Sequence, residues 1–261
     1  MIVVKFGGHA MKDENGNFAR AIAAALAIGE QVVIVHGGGP QIDLALKNKG
    51  ITSQWIGGLR VTTPEIFDVV QDVLVNQIGK EVAAILSKSG INAHAISARD
   101  LPTIIAKRRT TLLNGTAVDL GFVGDVQSVN PAHLLELLGQ GKVPVVAPIS
   151  SDEDLTTGLN VNADFVAAAI AASLQASALI MMTDVAGIYR NWPDKSSLIN
   201  KISSQELESI KSGFAEGMAP KVQATLDAIS YGAKAVRIID GTDPDSFVSA
   251  LAAQGGTLVV A

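Results

Sequence analysis

Two glycine clusters are the residues of this sequence whose type and position most directly indicate chemistry. Gly7 and Gly8 follow the apolar segment Ile2–Phe6, and residues 37–39 are glycines that follow the apolar segment 31–35. Glycines at the carboxyl end of a strand let backbone amides approach an anion, and the N-terminus of the next helix adds a favourable dipole. Each loop alone is also consistent with a tight strand–helix turn. Because parallel neighbouring strands would open both loops at one sheet edge, the pair predicts one anion site.

Three better-known glycine motifs are excluded by the neighbouring residues. Gly37 and Gly39 begin a dinucleotide-binding G-x-G-x-x-G, but Ile42 stands where the third glycine belongs. No G-x-x-x-x-G-K-[ST] occurs, which excludes a P-loop. His36 and the glycines after it resemble the oxyanion loop of esterases, yet no serine stands in the required G-x-S-x-G pattern. The sequence therefore lacks the serine nucleophile that an esterase of this type requires.

Three basic residues stand where an anionic ligand would need them. Lys5 ends the first apolar segment beside the glycines, although a strand end also suits a solvated lysine. Arg60 lies in a glycine-containing loop, where its forked guanidinium suits a carboxylate, but the residues alone slightly favour an exposed arginine. Lys221 follows Pro220, which indicates a helix start and places a cation against the helix dipole. A bound phosphate would explain that exception, and a solvated lysine would tolerate it at small cost.

A polar segment, residues 160–164, precedes an alanine-rich stretch of helical period. Asn162 is typical of an N-cap, and Asp164 falls in the first turn, where an acid is favourable. Capping thus explains these two residues but not Asn160. The four histidines are scattered without metal-ligand spacing, so we expect structural roles for them and no metal site in the protein.

Composition excludes several classes of function. The 261 residues contain no cysteine, which excludes disulfides, thiol nucleophiles and cysteine-ligated metals. A net charge of −5 and 4% aromatic residues argue against nucleic-acid binding. The long uncharged run at residues 165–182 is interrupted by polar residues and predicts a buried helix followed by a strand, not a membrane span. Without a signal-peptide pattern, we expect a soluble, cytoplasmic protein.

Short apolar runs alternate with segments of helical period, which predicts an α/β fold with a mainly parallel sheet. The candidate strands are Ile2–Phe6, 31–35, Val143–Ala147, Ala178–Thr183 and 235–239. Helix starts are predicted at Thr63-Pro64, Asn130-Pro131, Asp243-Pro244 and, by capping-box spacing, at Ser203 with Glu206. Residues 103–128 instead predict an antiparallel hairpin turning at Asn114-Gly115, serving as a lid or interface rather than core. A soft boundary near residue 176 divides the chain into lobes 1–176 and 177–261.

Taken together, these motifs resemble the amino acid kinase family. The resemblance runs the whole length of the chain, through residues 5–8, 36–39, 58–62, 120–124, 160–164, 183–187 and 217–221. It implies a three-layer αβα sandwich with antiparallel hairpin lid elements. It also implies catalytic roles for Lys5, Lys221 and Asp164, and binding of an acylated amino acid by Gly38, Gly39, Arg60 and Asn160. The nucleotide residues that it implies are Gly7, Gly8, Asp184, Gly187, Gly217 and Met218.

The branch of the family that it resembles implies ATP-dependent phosphorylation of the γ-carboxylate of N-acetyl-L-glutamate, the second step of arginine biosynthesis, with Mg²⁺ carried by the nucleotide. A carboxylate with an ordinary pKa of about 4.3 is already ionised at neutral pH, so no general base is required. Two alternatives remain: a sister kinase acting on carrier-protein-linked aminoadipate or glutamate, and a non-catalytic amino acid or nucleotide sensor. Because the chain begins almost at the first strand, without the N-terminal helix of arginine-inhibited hexamers, we expect an arginine-insensitive homodimer.

Overall fold

The computed structural model describes residues 1–7, 16–112, 114–214 and 218–261. The strands are β1 Ile2–Phe6, β2 Val32–His36, β3 Trp55–Ile56, β4 Leu59–Arg60, β5 Ala93–Ser97, β6 Ile104–Arg108, β7 Val123–Val129, β8 Val143–Ala147, β9 Ile149–Ser151, β10 Gly158–Val161, β11 Ala178–Thr183, β12 Lys201–Ser203, β13 Ala235–Asp240 and β14 Thr257–Val260. The helices are α1 Asn17–Ala27, α2 Gly39–Asn48, α3 Pro64–Gln71, α4 Gly79–Lys88, α5 Ala132–Gly139, α6 Ala163–Ser173, α7 Ser204–Ile210, α8 Ala219–Ser230 and α9 Pro244–Leu251. A π-helical segment, Asp72–Ile78, joins α3 to α4.

One eight-stranded sheet forms the centre of the fold, in the order β12-β14-β13-β11-β1-β2-β8-β5. All its neighbouring pairs are parallel except β13 with β14. The predicted strands β1, β8 and β11 have the bounds expected from their apolar runs, while β2 is shifted by one residue and β13 is one residue longer. The α/β prediction with a mainly parallel sheet is confirmed.

The sheet is buried on both faces, which explains why its strands are nearly continuous apolar runs. Along β1, Val3 packs into one hydrophobic cluster, whereas Val4 packs into the other. The first cluster contains residues of α5, α6, α7 and α8; the second contains residues of α1, α2, α3, α4 and α9. This arrangement is the expected three-layer αβα sandwich. Within the described ranges, no helix is long and apolar enough to cross a membrane.

The predicted helix starts are set by local side-chain caps. Thr63 accepts a hydrogen bond from the amide of Ile66 at 3.3 Å, and Ser203 accepts one from the amide of Glu206 at 3.1 Å. Asp243 caps α9 in the same manner. The second predicted start differs by one residue, since α5 begins at Ala132, whose amide donates to the Asn130 side chain.

The ribbon at residues 103–128 differs from expectation. Strands β6 and β7 do pair antiparallel, but they join β9 and β10 in a small closed barrel. Ile104 and Ala106, on β6, are both completely buried. They belong to the hydrophobic cluster that also holds Leu159. The expectation that this segment lies outside the core was therefore wrong for β6, because barrel closure turns its alternate side chains inward.

Candidate active site

Three charged residues from distant parts of the chain meet at the carboxyl edge of the central sheet. The Nζ atom of Lys5, on β1, lies 3.0 Å from Oδ1 of Asp164. The Nζ atom of Lys221, on α8, lies 3.2 Å from Oδ2 of the same carboxylate. Asp164 is held in the first turn of α6 because its amide donates to the capping side chain of Asn162 at 2.7 Å. One carboxylate thus positions two ammonium groups.

The charge state of this triad follows from the balance between burial and neighbouring cations. Asp164 is almost wholly buried, and burial alone would raise the pKa of its carboxyl group. The charges of Lys5 and Lys221 outweigh burial, so the pKa of Asp164 lies below its ordinary value. The triad therefore carries one net positive charge at neutral pH and can attract an anion.

Helix α8 begins at Ala219, one residue before the predicted start at Pro220, and Lys221 lies in its first turn as expected. In the sequence this lysine stood out because a cation in the first turn of a helix is placed unfavourably relative to the helix dipole. Its ion pair with Asp164 offsets that effect, so a solvated lysine is the wrong alternative. Lys5 is also buried, which excludes a solvated strand end.

The glycine loops share this sheet edge, as the parallel pairing of β1 with β2 requires. A Cβ atom on Gly38 would lie 2.4 Å from Cδ1 of Ile78, so any side chain there would require Ile78 and Leu74 of the π-helical segment to shift. Gly39, at the start of α2, has open space before it, and both glycines line the cleft. Gly7 has a different constraint: its Cβ would lie 2.7 Å from the carbonyl oxygen of Met182. Gly8 and Gly217 lie outside the described residues.

Arg60 is a buried residue, so the exposed-arginine alternative is wrong. Its Nη1 donates to Oδ1 of Asp43 and to Oγ of Ser53, each at 2.7 Å. Its guanidinium carbon lies 4.4 Å from the centre of the Trp55 ring. Its Nη2 is buried without a hydrogen-bond partner among the described residues. A buried donor without a partner costs free energy that a bound acceptor would recover.

Asn160, which capping could not explain, also faces this cleft. It lies on β10, and its Nδ2 donates to Oγ1 of Thr62 at 3.2 Å. Together with the glycine loop, Arg60 and the triad, it lines a cavity of about 300 Å³. The family resemblance assigns this cavity to the acylated amino acid, so it is called the acid cavity. The predicted catalytic and substrate-binding residues that line it are Lys5, Gly38, Gly39, Arg60, Asn160, Asp164 and Lys221.

A second cavity, of about 680 Å³, lies next to the acid cavity. Asp184 and Met218 line it, as the family resemblance implied, and Lys221 lines both cavities. Gly187 is not among the described residues that line this cavity. A Cβ atom on it would meet Oγ1 of Thr257, so its part in nucleotide binding stays a prediction. Lys221 is thus the described residue at which the two spaces meet.

Sequence reasoning missed three aromatic residues that line the larger cavity, Tyr189, Trp192 and Phe214. Tyr189 and Trp192 line it, with ring centres 5.2 Å apart in an edge-to-face arrangement. Aromatic rings stack favourably on nucleobases. The only sequence signal was two aromatics three residues apart in a chain that contains just two tryptophans and two tyrosines.

His36, immediately before the glycine loop, is structural as expected. Its Nδ1 lies 3.0 Å from the carbonyl oxygen of Gly37, and its Nε2 is buried without a partner among the described residues. Burial lowers the pKa of His36 to about 4, against the smaller opposite effect of the Gly37 hydrogen bond. The imidazole is therefore neutral at physiological pH.

Comparison with known proteins places this geometry in a family context. The sequence matches the amino acid kinase family over residues 1–240. It is 44% identical to the acetylglutamate kinase of Saccharopolyspora erythraea over 242 residues, which are 92% of this chain and 80% of that protein.

Two solved structures share the fold. N-acetylglutamate synthase from Neisseria gonorrhoeae, complexed with coenzyme A and N-acetyl-glutamate, matches with a TM-score of 0.84 at 23% identity, over 100% of this chain and 59% of that chain. Carbamate kinase from Giardia lamblia bound to AMP-PNP matches with a TM-score of 0.69 at 18% identity, over 99% of this chain and 97% of that chain. At these identities the likeness shows the architecture alone.

Replacing Asp164 by Asn should destabilise the protein, because two buried ammonium groups would lose their shared counter-charge. Breaking a buried ion pair costs about 3 kcal/mol or more, so the free energy of unfolding should fall by about that amount in urea titrations at pH 7. The control is Asp227→Asn, which neutralises a half-buried carboxyl group that has no ion pair among the described residues and a pKa raised mainly by burial. Equal losses in both variants would contradict the role assigned to the triad.

Acid should destabilise the protein through His36. The neutral form is favoured in the folded state, so this contribution is complete above the unfolded pKa of about 6.5 and is lost as the pH falls towards the folded value. Between pH 7.5 and pH 5 the loss should be about 2 kcal/mol. His36→Asn, which retains a donor for Gly37, should remove this part of the pH dependence in urea titrations. His94→Asn, at an exposed position, is the control; an unchanged slope in His36→Asn would contradict the assignment.

Proposed function

The chain belongs to the amino acid kinase family, and we propose that its cleft transfers the γ-phosphoryl group of ATP to the side-chain carboxylate of N-acetyl-L-glutamate. This is the reaction of an acetylglutamate kinase, which serves arginine biosynthesis. The observation that carries the proposal is the position of Lys221, which borders both the acid cavity and the larger cavity. A phosphoryl group passing from one space to the other would pass this cation.

The charge of the acid cavity suits a dicarboxylate. Its described lining contains three cations, Lys5, Arg60 and Lys221, against one anion, Asp164, so cations outnumber anions by two. Both carboxylates of N-acetyl-L-glutamate are ionised at neutral pH. We assign one to the unpartnered Nη2 of Arg60, with Asn160 nearby, and direct the other towards the lysines.

The same charge balance favours an acylated nitrogen. The carboxylate of Asp164 is already paired with two lysines, so the described lining offers no free anion to the α-ammonium group of glutamate. An unpaired ammonium in a net-positive, partly desolvated cavity is strongly disfavoured. An N-acyl group removes that charge. The cavity therefore selects the acylated acid over free glutamate.

Phosphoryl transfer depends mainly on positioning and on stabilising charge in the transition state. We assign the Lys5 ammonium to the transferring phosphoryl group and the Lys221 ammonium to the charge that develops on the departing ADP. Amides of Gly38 and Gly39, at the start of α2, would donate to the incoming oxygens. Asp164 positions the two lysines by pairing with one ammonium group at each of its carboxylate oxygens.

We place the nucleotide in the larger cavity, with its base against Tyr189 or Trp192 and its phosphates towards Lys221. Mg²⁺ supplies charge neutralisation on the phosphates when bound. The described residues contain no cluster of three or more histidine or acidic side chains suited to a metal, and Asp164 is committed to the lysines, so the fit is to a metal carried by ATP. We further propose that residues 1–176 hold the acid, that residues 177–261 hold ATP, and that the protein is a homodimer insensitive to arginine.

An ADP-release assay with a panel of acceptors tests the proposed function. N-acetyl-L-glutamate, glutamate, aspartate, carbamate and UMP are compared at equal concentration with MgATP. We expect kcat/KM for N-acetyl-L-glutamate to exceed that for free glutamate by at least about a hundredfold, since burying an unpaired charge costs several kcal/mol. Turnover of free glutamate but not of the acetylated form would refute the assignment; binding without turnover of any acceptor would favour a sensor.

Kinetics of two variants should separate catalysis from acid binding. Lys221→Ala should lower kcat by about a thousandfold, as expected when one transition-state donor is lost. Arg60→Ala should raise KM for N-acetyl-L-glutamate by about tenfold to a hundredfold and leave KM for ATP nearly unchanged, because Arg60 lines the acid cavity and not the larger cavity. Lys201→Ala, at an exposed position, is the control. An unchanged acid KM in Arg60→Ala would show that its role is misassigned.

A further inference from the structure

We propose that Asp43 is a positioning residue for the acid substrate: it acts through Arg60, together with Ser53 and Trp55, so that one guanidinium nitrogen is directed at the substrate carboxylate. The inference rests on the proposed function, because it takes Arg60 as the residue that binds the acid. None of the sequence motifs singled out Asp43, Ser53 or Trp55. Asp43 does not line the acid cavity; it lies behind Arg60.

The hydrogen bonds of Arg60 occupy one of its terminal nitrogens and leave the other without a partner among the described residues. A guanidinium Nη carries two N–H donors. On Nη1 both are occupied, one by Oδ1 of Asp43 and one by Oγ of Ser53, each at 2.7 Å. Trp55 covers one face of the guanidinium plane at 4.4 Å. Rotation of the guanidinium is therefore restrained, and the buried Nη2 is left as a donor without a partner among the described residues.

The two members of the Asp43–Arg60 ion pair differ in exposure, since the arginine is buried and the aspartate is half-exposed. The side chain of Arg60 is 4% exposed and that of Asp43 is 54% exposed. A buried guanidinium without a counter-charge would be strongly destabilised before substrate binds. Asp43 supplies that charge from the solvent side, because its own side chain is half-exposed. It therefore stabilises Arg60 without occupying the nitrogen that the substrate needs.

Asp43 connects two parts of the cleft, helix α2 and the β3–β4 ribbon. Asp43 lies in the first half of α2, the helix that begins at the glycine loop. Arg60 lies on the β3–β4 ribbon, a two-stranded sheet separate from the central one. Their ion pair fixes the ribbon relative to the helix start, so Arg60 and the amides of Gly38 and Gly39 keep one relative position.

Removing Asp43 has two opposite effects on the substrate. Loss of a negative charge would by itself favour an anion, but a half-exposed charge is screened, and such pairs change binding by no more than about fivefold. Loss of orientation has the larger effect, because a displacement of 1 Å in a positioned group changes rates or binding by up to about a hundredfold. Since Ser53 and Trp55 remain in place, we expect a net weakening of about tenfold.

Steady-state kinetics of Asp43→Ala and Asp43→Asn test this inference. In Asp43→Ala, KM for N-acetyl-L-glutamate should rise about tenfold, with KM for ATP unchanged and kcat within twofold of wild type. Asp43→Asn retains an oxygen acceptor for Nη1 and should recover most of the loss. Adding Ser53→Ala to Asp43→Ala should raise the acid KM further, because Nη1 would then lose both acceptors.

The matched control is Asp125→Ala. Asp125 accepts from Nε of Arg109 at 2.6 Å, the side chains are 42% and 9% exposed, and the Arg109 guanidinium lies 5.5 Å from the Phe165 ring centre. This pair thus reproduces the chemistry of the Asp43–Arg60 pair, but its residues line neither the acid cavity nor the larger cavity. Asp125→Ala should leave KM for the acid unchanged. An equal rise in both variants would show a general loss of structure and overturn the inference.

Tryptophan fluorescence gives a readout that does not depend on turnover. The chain has two tryptophans, so a Trp192→Phe background leaves Trp55, stacked on Arg60, as the reporter. Titration with N-acetyl-L-glutamate in the absence of nucleotide should change its emission, and Asp43→Ala should raise the Kd about tenfold. An unchanged Kd overturns the positioning role. If the acid neither binds nor reacts with the wild-type protein, the proposed function fails instead, so the two failures are distinguishable.

Discussion

The carboxylate of Asp164, shared by two lysines, is the interaction on which the rest of the site depends. It joins β1, α6 and α8, whose residues are far apart in the chain. Without it, the two ammonium groups would repel each other across a partly buried space. With it, the triad retains a net positive charge whose position is set by helix capping and strand packing rather than by ligand. The site is therefore preorganised for anions.

The parallel sheet explains why these groups meet. Strands β11, β1 and β2 run side by side in one direction, so the loops that follow them lie at one edge. Helices α6 and α8 pack on the same face and bring their N-termini to that edge. Each N-terminus carries one member of the triad. The layered fold thus brings residues that are distant in the chain together at a single charged site.

Most of the sheet and several site residues could be predicted from the sequence because their signals are local. Apolar runs marked β1, β8 and β11, and a cation against a helix dipole marked Lys221. The same reasoning could not decide whether Arg60 was buried, because burial depends on partners that lie elsewhere in the chain. Asp43, on α2, reads in sequence as an ordinary charge on a helix; only the tertiary contact shows what it holds. The core position of β6 was likewise set by barrel closure, which has no local signature.

The central position of β1 has a consequence for biosynthesis. Its partner on one side, β2, follows soon after it in the chain, but its partner on the other side, β11, begins only at Ala178. At translation rates of about 5–20 residues per second, one edge of β1 stays unpaired for roughly seven to thirty seconds after β2 has emerged. An apolar strand with a free edge is prone to pair with other chains. Strand β1, which carries Lys5, is thus exposed to aggregation along one edge while the chain is still on the ribosome.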